Sequence, residues 1–329
     1  MFSGELAQID SRYREKIQFA FAQSTQNNFK YQCVSFLNFC AKHNFLVMPL
    51  DYSVIARYLT VCSDQVSAYG TIMNKLSALT KFYSFMGVTL DPKHPLIDML
   101  IKSCKRQMSS ESKPKVALEP GHIILISQVL DPSSLLHRLF HVALLVQFFT
   151  CVRKSNLLPP SLRAFSVHKH LTRGDLHFAA DSIIVSLPWT KTMQNADNIM
   201  TIPIAKVNNA LLDPVSTYKL FSQQFPMPPN FPAFSLHDGH KVLVLTQQTY
   251  IDILKDSLNK LGLPYQAFSS HSVRRGGTTT MARAQVPHKL IKHHGGWRSS
   301  CYERYIQVSH KDKLLPTQKM IQYINDNYS

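Results

Sequence analysis

The stretch "HSVRRGGTTTMARAQVPHKLIKHHGGWRSSCYERYI", residues 271–306, holds seven Lys/Arg, four His, one Trp and two Tyr among thirty-six residues, with a single carboxylate, Glu303. A run so rich in cations, imidazole, indole and phenol, and so poor in acid, suits a site that receives an anion, because carboxylates would compete for the cations.

The whole chain has the same bias. Its 329 residues carry a formal net charge of +16, and 45% of them are apolar, which leaves room for two domains with ordinary cores. A balance this basic favours an anionic partner, and nucleic acid is the commonest one. Residues 1–115 carry 14 Lys/Arg against 8 Asp/Glu, and residues 116–329 carry 22 against 12. Both halves can therefore touch one polyanion. No uninterrupted apolar run approaches the roughly 20 residues that span a bilayer, and the N-terminus lacks the form of a signal peptide. The expectation is a soluble, intracellular protein that is not secreted and has no membrane partner. Cys33, Cys40, Cys62, Cys104, Cys151 and Cys301 are scattered without CxxC pairs, which argues against a disulfide framework or a Cys-rich zinc site.

Helical periodicity dominates the first hundred residues. In "DYSVIARYLTVCS" the residues Val54, Ile55, Tyr58, Leu59 and Cys62 share one face, with Asp51 as a cap. "TIMNKLSALTKFYSFMG" repeats the pattern with Ile72, Leu76, Leu79, Tyr83 and Met86 ahead of Gly87, and "NNFKYQCVSFLNFCAKHN" groups Phe29, Cys33, Phe36, Leu37 and Cys40. This predicts a helical domain over 1–110. The Ser-, Lys- and Pro-rich segment 109–120 reads as a linker, and 121–329 as a second domain. That domain opens with the apolar helix "PSSLLHRLFHVALLVQFFTCVR", which delivers Arg153 at its end. The strand-like "LHFAA", "SIIVSLPWTKT" and "NIMTIPIA" then form an antiparallel meander. Helices return after Asp213-Pro214 and run to a C-terminal tail helix. The fold class is α+β, mainly helical, with a small three-stranded antiparallel sheet.

Cleaving a phosphodiester without a metal needs cations and fixed donors for the charge on the transition state, a nucleophile, and an acid for the leaving oxygen. Arginine meets the first need through its planar fork. Tyrosine meets the second, because a phenolate leaves readily and keeps a phosphotyrosyl bond reversible.

"TCVRKSNLL" with Arg153, "WTKT" with Lys191, "HSVRR" with His271 and Arg274, "GGW" with Trp297 and "YERYI" with Tyr305 stand in the order found in the tyrosine recombinases, the phage-integrase family, which the chain resembles over about residues 145–310. The wording "RKSNL", "HSVRRGGTT" and "GGWRSSCYERYI" resembles most the Crypton and DIRS/Ngaro recombinases of eukaryotic mobile elements. The helical first domain is compatible with the family's core-binding domain. The resemblance implies that Arg153 and Arg274 clamp the phosphate, His271 bonds and transfers a proton, and the Trp297 indole donates to a phosphate oxygen where many members have histidine. It also implies that Lys191, in the turn between the second and third strands, protonates the 5′-oxygen, and that Tyr305 attacks phosphorus. No cofactor or metal is implied. The partner would be double-stranded DNA, bound as a homodimer or homotetramer through the C-terminal tail. A eukaryotic mobile-element origin implies the nucleus, and otherwise the cytoplasm or nucleoid. Asn156 stands where many recombinases have an acidic residue three positions after the first arginine.

Blander readings compete at each position. Arg153 could be a charge partner at a helix end, His271 and Arg274 two basic residues on a solvated face, and "WTKT" an ordinary hairpin turn. Tyr302 lies nearly one helical turn from Tyr305, though the spacing of Tyr305 from Trp297 fits the family better. His294 competes with Trp297, and His288, His293 and His294 lack the ligand spacing of a known zinc site. Two other functions share these residues: a domesticated DNA-binding protein that keeps the fold without cleavage, and a type IB topoisomerase.

Overall fold

A computed structural model describes residues 8–9, 11–13, 16, 23–66, 68–108, 115–188, 199–308 and 310–328. Two compact units divide the chain, residues 1–114 and 115–329.

In the first unit, helices α1 (Gln23–Lys42), α2 (Tyr52–Gln65), α3 (Tyr69–Phe85) and α4 (Pro95–Gln107) surround one core. The Asp51 side chain caps α2 by accepting from the Ser53 amide at 2.7 Å. All five residues of the expected α2 face are buried. On α3, Ile72, Leu76, Leu79 and Tyr83 are buried, but Met86 is exposed because it falls past the last turn. Leu37 on α1 is likewise exposed. Burial there follows Cys33, Phe36 and Cys40.

The second unit begins at Lys115. Of the segment expected to be a linker, 109–114 lie outside the described residues, while 115–119 are bonded into this unit: the amides of Val116 and Leu118 donate to the carbonyls of Ala267 and Ser272, each at 2.9 Å. A capping box of Glu119 and His122 starts α5 (Pro120–Val129). Helix α6 (Leu135–Thr150) is apolar on nearly every side and runs through the core. It stops three residues short of Arg153, where Cys151 takes the left-handed conformation at φ 53°, and Arg153 instead stands at the N-cap position of the single-turn α7 (Lys154–Leu157), its side chain making no capping bond.

Strands β1 (Leu176–Ala179), β2 (Ser182–Leu187) and β3 (Met200–Ala205) form an antiparallel sheet in chain order. Period-two alternation buries Ile183, Val185 and Leu187 of β2 opposite Ile204, Ile202 and Met200 of β3. Helix α8 (Pro214–Gln224) follows, with Asp213 accepting from the amides of Val215 and Ser216. The short strands β4 (Ser235–His237) and β5 (Val242–Val244) pair as a hairpin that the sequence reading did not anticipate. Helices α9 (Gln247–Lys260), α10 (Ser270–Arg283), α11 (His288–His294) and α12 (His310–Tyr328) complete the unit, with a 3₁₀ turn at Ser300–Tyr305. Helix α6 packs against α10 and α8.

Candidate active site

Three local devices set the positions of the candidate residues. The left-handed turn at Cys151 redirects the chain so that Arg153 leaves the end of α6 half-buried. Ser269 caps α10, accepting from the His271 amide at 3.2 Å, and His271 and Arg274 follow one turn apart on that helix. Gly276 and Gly277 let α10 approach its neighbours: a Cβ at Gly276 would overlap the Leu118 carbonyl, and one at Gly277 would overlap the Phe148 carbonyl and meet the Cys151 Sγ at 2.6 Å. Gly295 is similarly covered by the Trp297 ring, and Gly296 turns the chain at φ 64°. The glycines of "RRGG" and "GGW" are therefore close-approach positions.

Arg274 is the centre of this arrangement. It is 2% exposed and donates to the Cys151 carbonyl and, at 3.1 Å, to the Gly295 carbonyl. Its guanidinium carbon lies 4.0 Å from the Trp297 ring centroid and 5.4 Å from that of Tyr305. Among the described residues no carboxylate pairs with it; the ion pairs are Lys102 with Asp98, Lys260 with Asp256 and Arg283 with Glu119. Burial pushes its pKa down to about 10, and the positive charge of nearby Arg153 adds to that. Among the described residues, the buried Nε of Arg274 and Nε1 of Trp297 have no hydrogen-bond partner.

His271 keeps an open outer surface, yet protein atoms crowd its ring. Its pKa is lowered by that partial burial first, and then by the charges of Arg274, Arg153 and Lys154. Arg153, His271 and Arg274 thus gather at one place, with Trp297 and Tyr305 against Arg274. Lys191 lies outside the described residues.

The competing residues have other partners. The buried Tyr302 places its hydroxyl 2.9 Å from Nδ1 of the exposed His288. His294 Nε2 lies 2.7 Å from the Phe149 carbonyl. Among the described residues no group of three or more His, Cys, Asp or Glu side chains could hold a metal ion.

Arg275 and Thr279, which the sequence reading passed over, hold the tyrosine segment. Arg275 donates to the Arg304 carbonyl at 3.1 Å. The Thr279 hydroxyl donates to the Tyr305 carbonyl at 3.2 Å and accepts from the Gln307 amide at 3.0 Å. Gln307 Oε1 in turn accepts from the Ala117 amide at 2.9 Å. The i, i+4 spacing of Arg275 and Thr279 in "RRGGTTT" was the available signal.

No protein-family model matches the chain, and no curated protein sequence does. Solved structures do. XerH site-specific recombinase, in a post-cleavage complex with palindromic difH substrate, is 14% identical with a TM-score of 0.62, over 90% of this chain and 79% of that one. The Tn1549 transposon integrase with transposon right-end DNA is 14% identical with a TM-score of 0.61, over 94% and 98%. A lambda integrase dimer bound to a COC′ core site is 14% identical with a TM-score of 0.55, over 92% and 76%. A mainly helical chain with this small antiparallel sheet, similar over most of its length to all three, has the tyrosine-recombinase fold.

Proposed function

We propose that this chain cuts and rejoins duplex DNA as a site-specific recombinase. One observation carries the reading: a buried arginine with no carboxylate partner among the described residues lies against an indole and a phenol that also touch each other, with its Nε and the indole N–H unpartnered there. A cation desolvated to that degree is stabilised by an anion, and a phosphate diester brings the right charge and acceptors.

In this reading Tyr305 is the nucleophile. Its oxygen bonds to phosphorus, the bond from phosphorus to the 5′-oxygen breaks, and a 3′-phosphotyrosyl link forms. His271, its pKa lowered, accepts the phenol proton, and Lys191 gives a proton to the 5′-oxygen. Arg153, Arg274 and Trp297 bind the non-bridging oxygens. Attack by the 5′-hydroxyl of another strand reverses the steps, so neither ATP nor metal is consumed.

Duplex DNA is the partner, and the basic balance of both halves favours contacts from each. The exposed Leu314, Met320 and Ile321 of α12 support the tail helix as the link in a homodimer or homotetramer. The likeness of "HSVRRGGTT" and "GGWRSSCYERYI" to Crypton and DIRS/Ngaro recombinases favours integration or excision of a mobile element, acting in a nucleus. Nicked suicide duplexes resolved by denaturing electrophoresis test the proposal: a covalent adduct that disappears with Tyr305→Phe is expected, and a parent chain that binds DNA without forming one refutes cleavage and leaves the DNA-binding alternative.

A further inference from the structure

Gln147 lies on α6, inside the core, and is 1% exposed. Its Nε2 donates to the Val152 carbonyl at 3.2 Å and to the Ser270 carbonyl at 3.4 Å, and its Oε1 accepts from the Tyr250 hydroxyl at 2.6 Å. These partners fix the amide's orientation, since carbonyls only accept and a flipped amide would set its oxygen against two of them. Tyr250 is itself wholly buried on α9, with its ring 5.0 Å from that of Phe140.

The two carbonyls belong to the residues just before Arg153 and His271. One amide nitrogen therefore ties the turn that carries the first arginine to the start of the helix that carries the histidine and the second arginine. That turn is a non-glycine chain at positive φ, and its two successive carbonyls, Cys151 and Val152, are held by Arg274 and Gln147 respectively. Arg274 must also serve the phosphate. Gln147 is then the anchor of the turn that a bound anion does not compete for.

We infer that Gln147, locked by Tyr250, is a positioning residue that sets the separation of Arg153 from His271 and Arg274, and so the fit of the clamp to the transition state. The inference rests on the roles proposed above for those three residues. A shift of about 1 Å in such a constellation costs on the order of 100-fold in rate, while ground-state DNA binding is spread over many phosphates.

Single-turnover adduct formation on a nicked suicide duplex, paired with equilibrium binding to the same duplex, tests this for Gln147→Leu, Tyr250→Phe and the double variant. Gln147→Leu should slow adduct formation about 10- to 100-fold while its DNA affinity stays within about twofold of the parent. Tyr250→Phe, which removes one hydroxyl and keeps the ring, should slow it about threefold or more and add little in the double variant, because both changes release one amide. An active parent with Gln147→Leu equally fast, or with affinity and rate falling together, overturns the inference alone. Should Gln147→Leu fail to fold, Tyr250→Phe cleaving at the parent's rate overturns it instead. A parent that forms no adduct refutes the proposed function and this inference with it.

Discussion

Replacing Arg274 with methionine separates a functional cation from a structural one. Losing one partner of a buried ion pair costs about 3–5 kcal/mol, because the other charge is left alone. Arg274 has no carboxylate to abandon among the described residues. Its environment instead pushes its pKa down to about 10, well below the ordinary arginine value, and at 1.36 kcal/mol per pH unit the buried charge is held about 3 kcal/mol above its free energy in water. Methionine relieves that cost and fills much of the same space. Against this, the carbonyls of Cys151 and Gly295 lose donors, on the order of 1–2 kcal/mol each. The two contributions nearly cancel. Thermal unfolding of Arg274→Met should therefore stay within about 4 °C of the parent, given roughly 2–4 °C per kcal/mol for a unit of this size. Adduct formation should fall more than about 100-fold, the scale of losing one charged donor to a transition state. A drop in melting temperature beyond about 8 °C would show that Arg274 is a well-compensated structural anchor, and the argument from an unpaired cation would fail.

The tyrosines separate in the same assays: Tyr305→Phe should abolish the adduct with DNA binding retained, whereas Tyr302→Phe should keep it and lose about 1 kcal/mol with the His288 bond. A swap of those outcomes would move the nucleophile to Tyr302. His141, His170 and His271 all have pKa values lowered first by burial, so below about pH 6.5 the unfolded chain binds more protons than the native one and stability falls as pH falls. Melting temperatures of the DNA-free protein should drop from pH 7 to 5, less steeply in His141→Gln, and a flat profile contradicts the burial argument. For Lys191→Ala, a duplex with a 5′-phosphorothiolate leaving group, which needs no proton, should restore cleavage; failure of rescue removes Lys191 from the acid role.

Much of the scaffold was legible because local pattern and tertiary burial agree. The α2 face shows it, and so do the alternating Ile183, Val185 and Leu187 of β2. Where the periodicity outran the core, as at Leu37 and Met86, the reading placed exposed residues inside. Helix α4 was not singled out because only Ile97 and Cys104 are buried on it, too few for a clear stripe. The three-residue strands β4 and β5 are too short for alternation to register. Around the site, the order of the motifs was readable while their supports were not. Why Gly276 and Gly277 lack side chains depends on the carbonyls of Leu118 and Phe148, far away in sequence. The engagement of Tyr302 by His288, and of His294 by Phe149, likewise exists only once the chain is folded. Gln147 drew no notice within its apolar helix, because its partners Val152, Ser270 and Tyr250 meet it only in the folded chain.

Thr279, gripping the backbone on both sides of Ile306, has a consequence for any assembly on DNA. Arg153, His271, Arg274, Trp297 and Tyr305 are all gathered within a single chain, and the phenol is tethered to the helix that bears two of the other four. Under the proposed function, each protomer's own genotype decides whether it cuts. Mixing Arg274→Met chains with Tyr305→Phe chains should then give no complementation, however many copies share the duplex, since neither can lend the other its missing part.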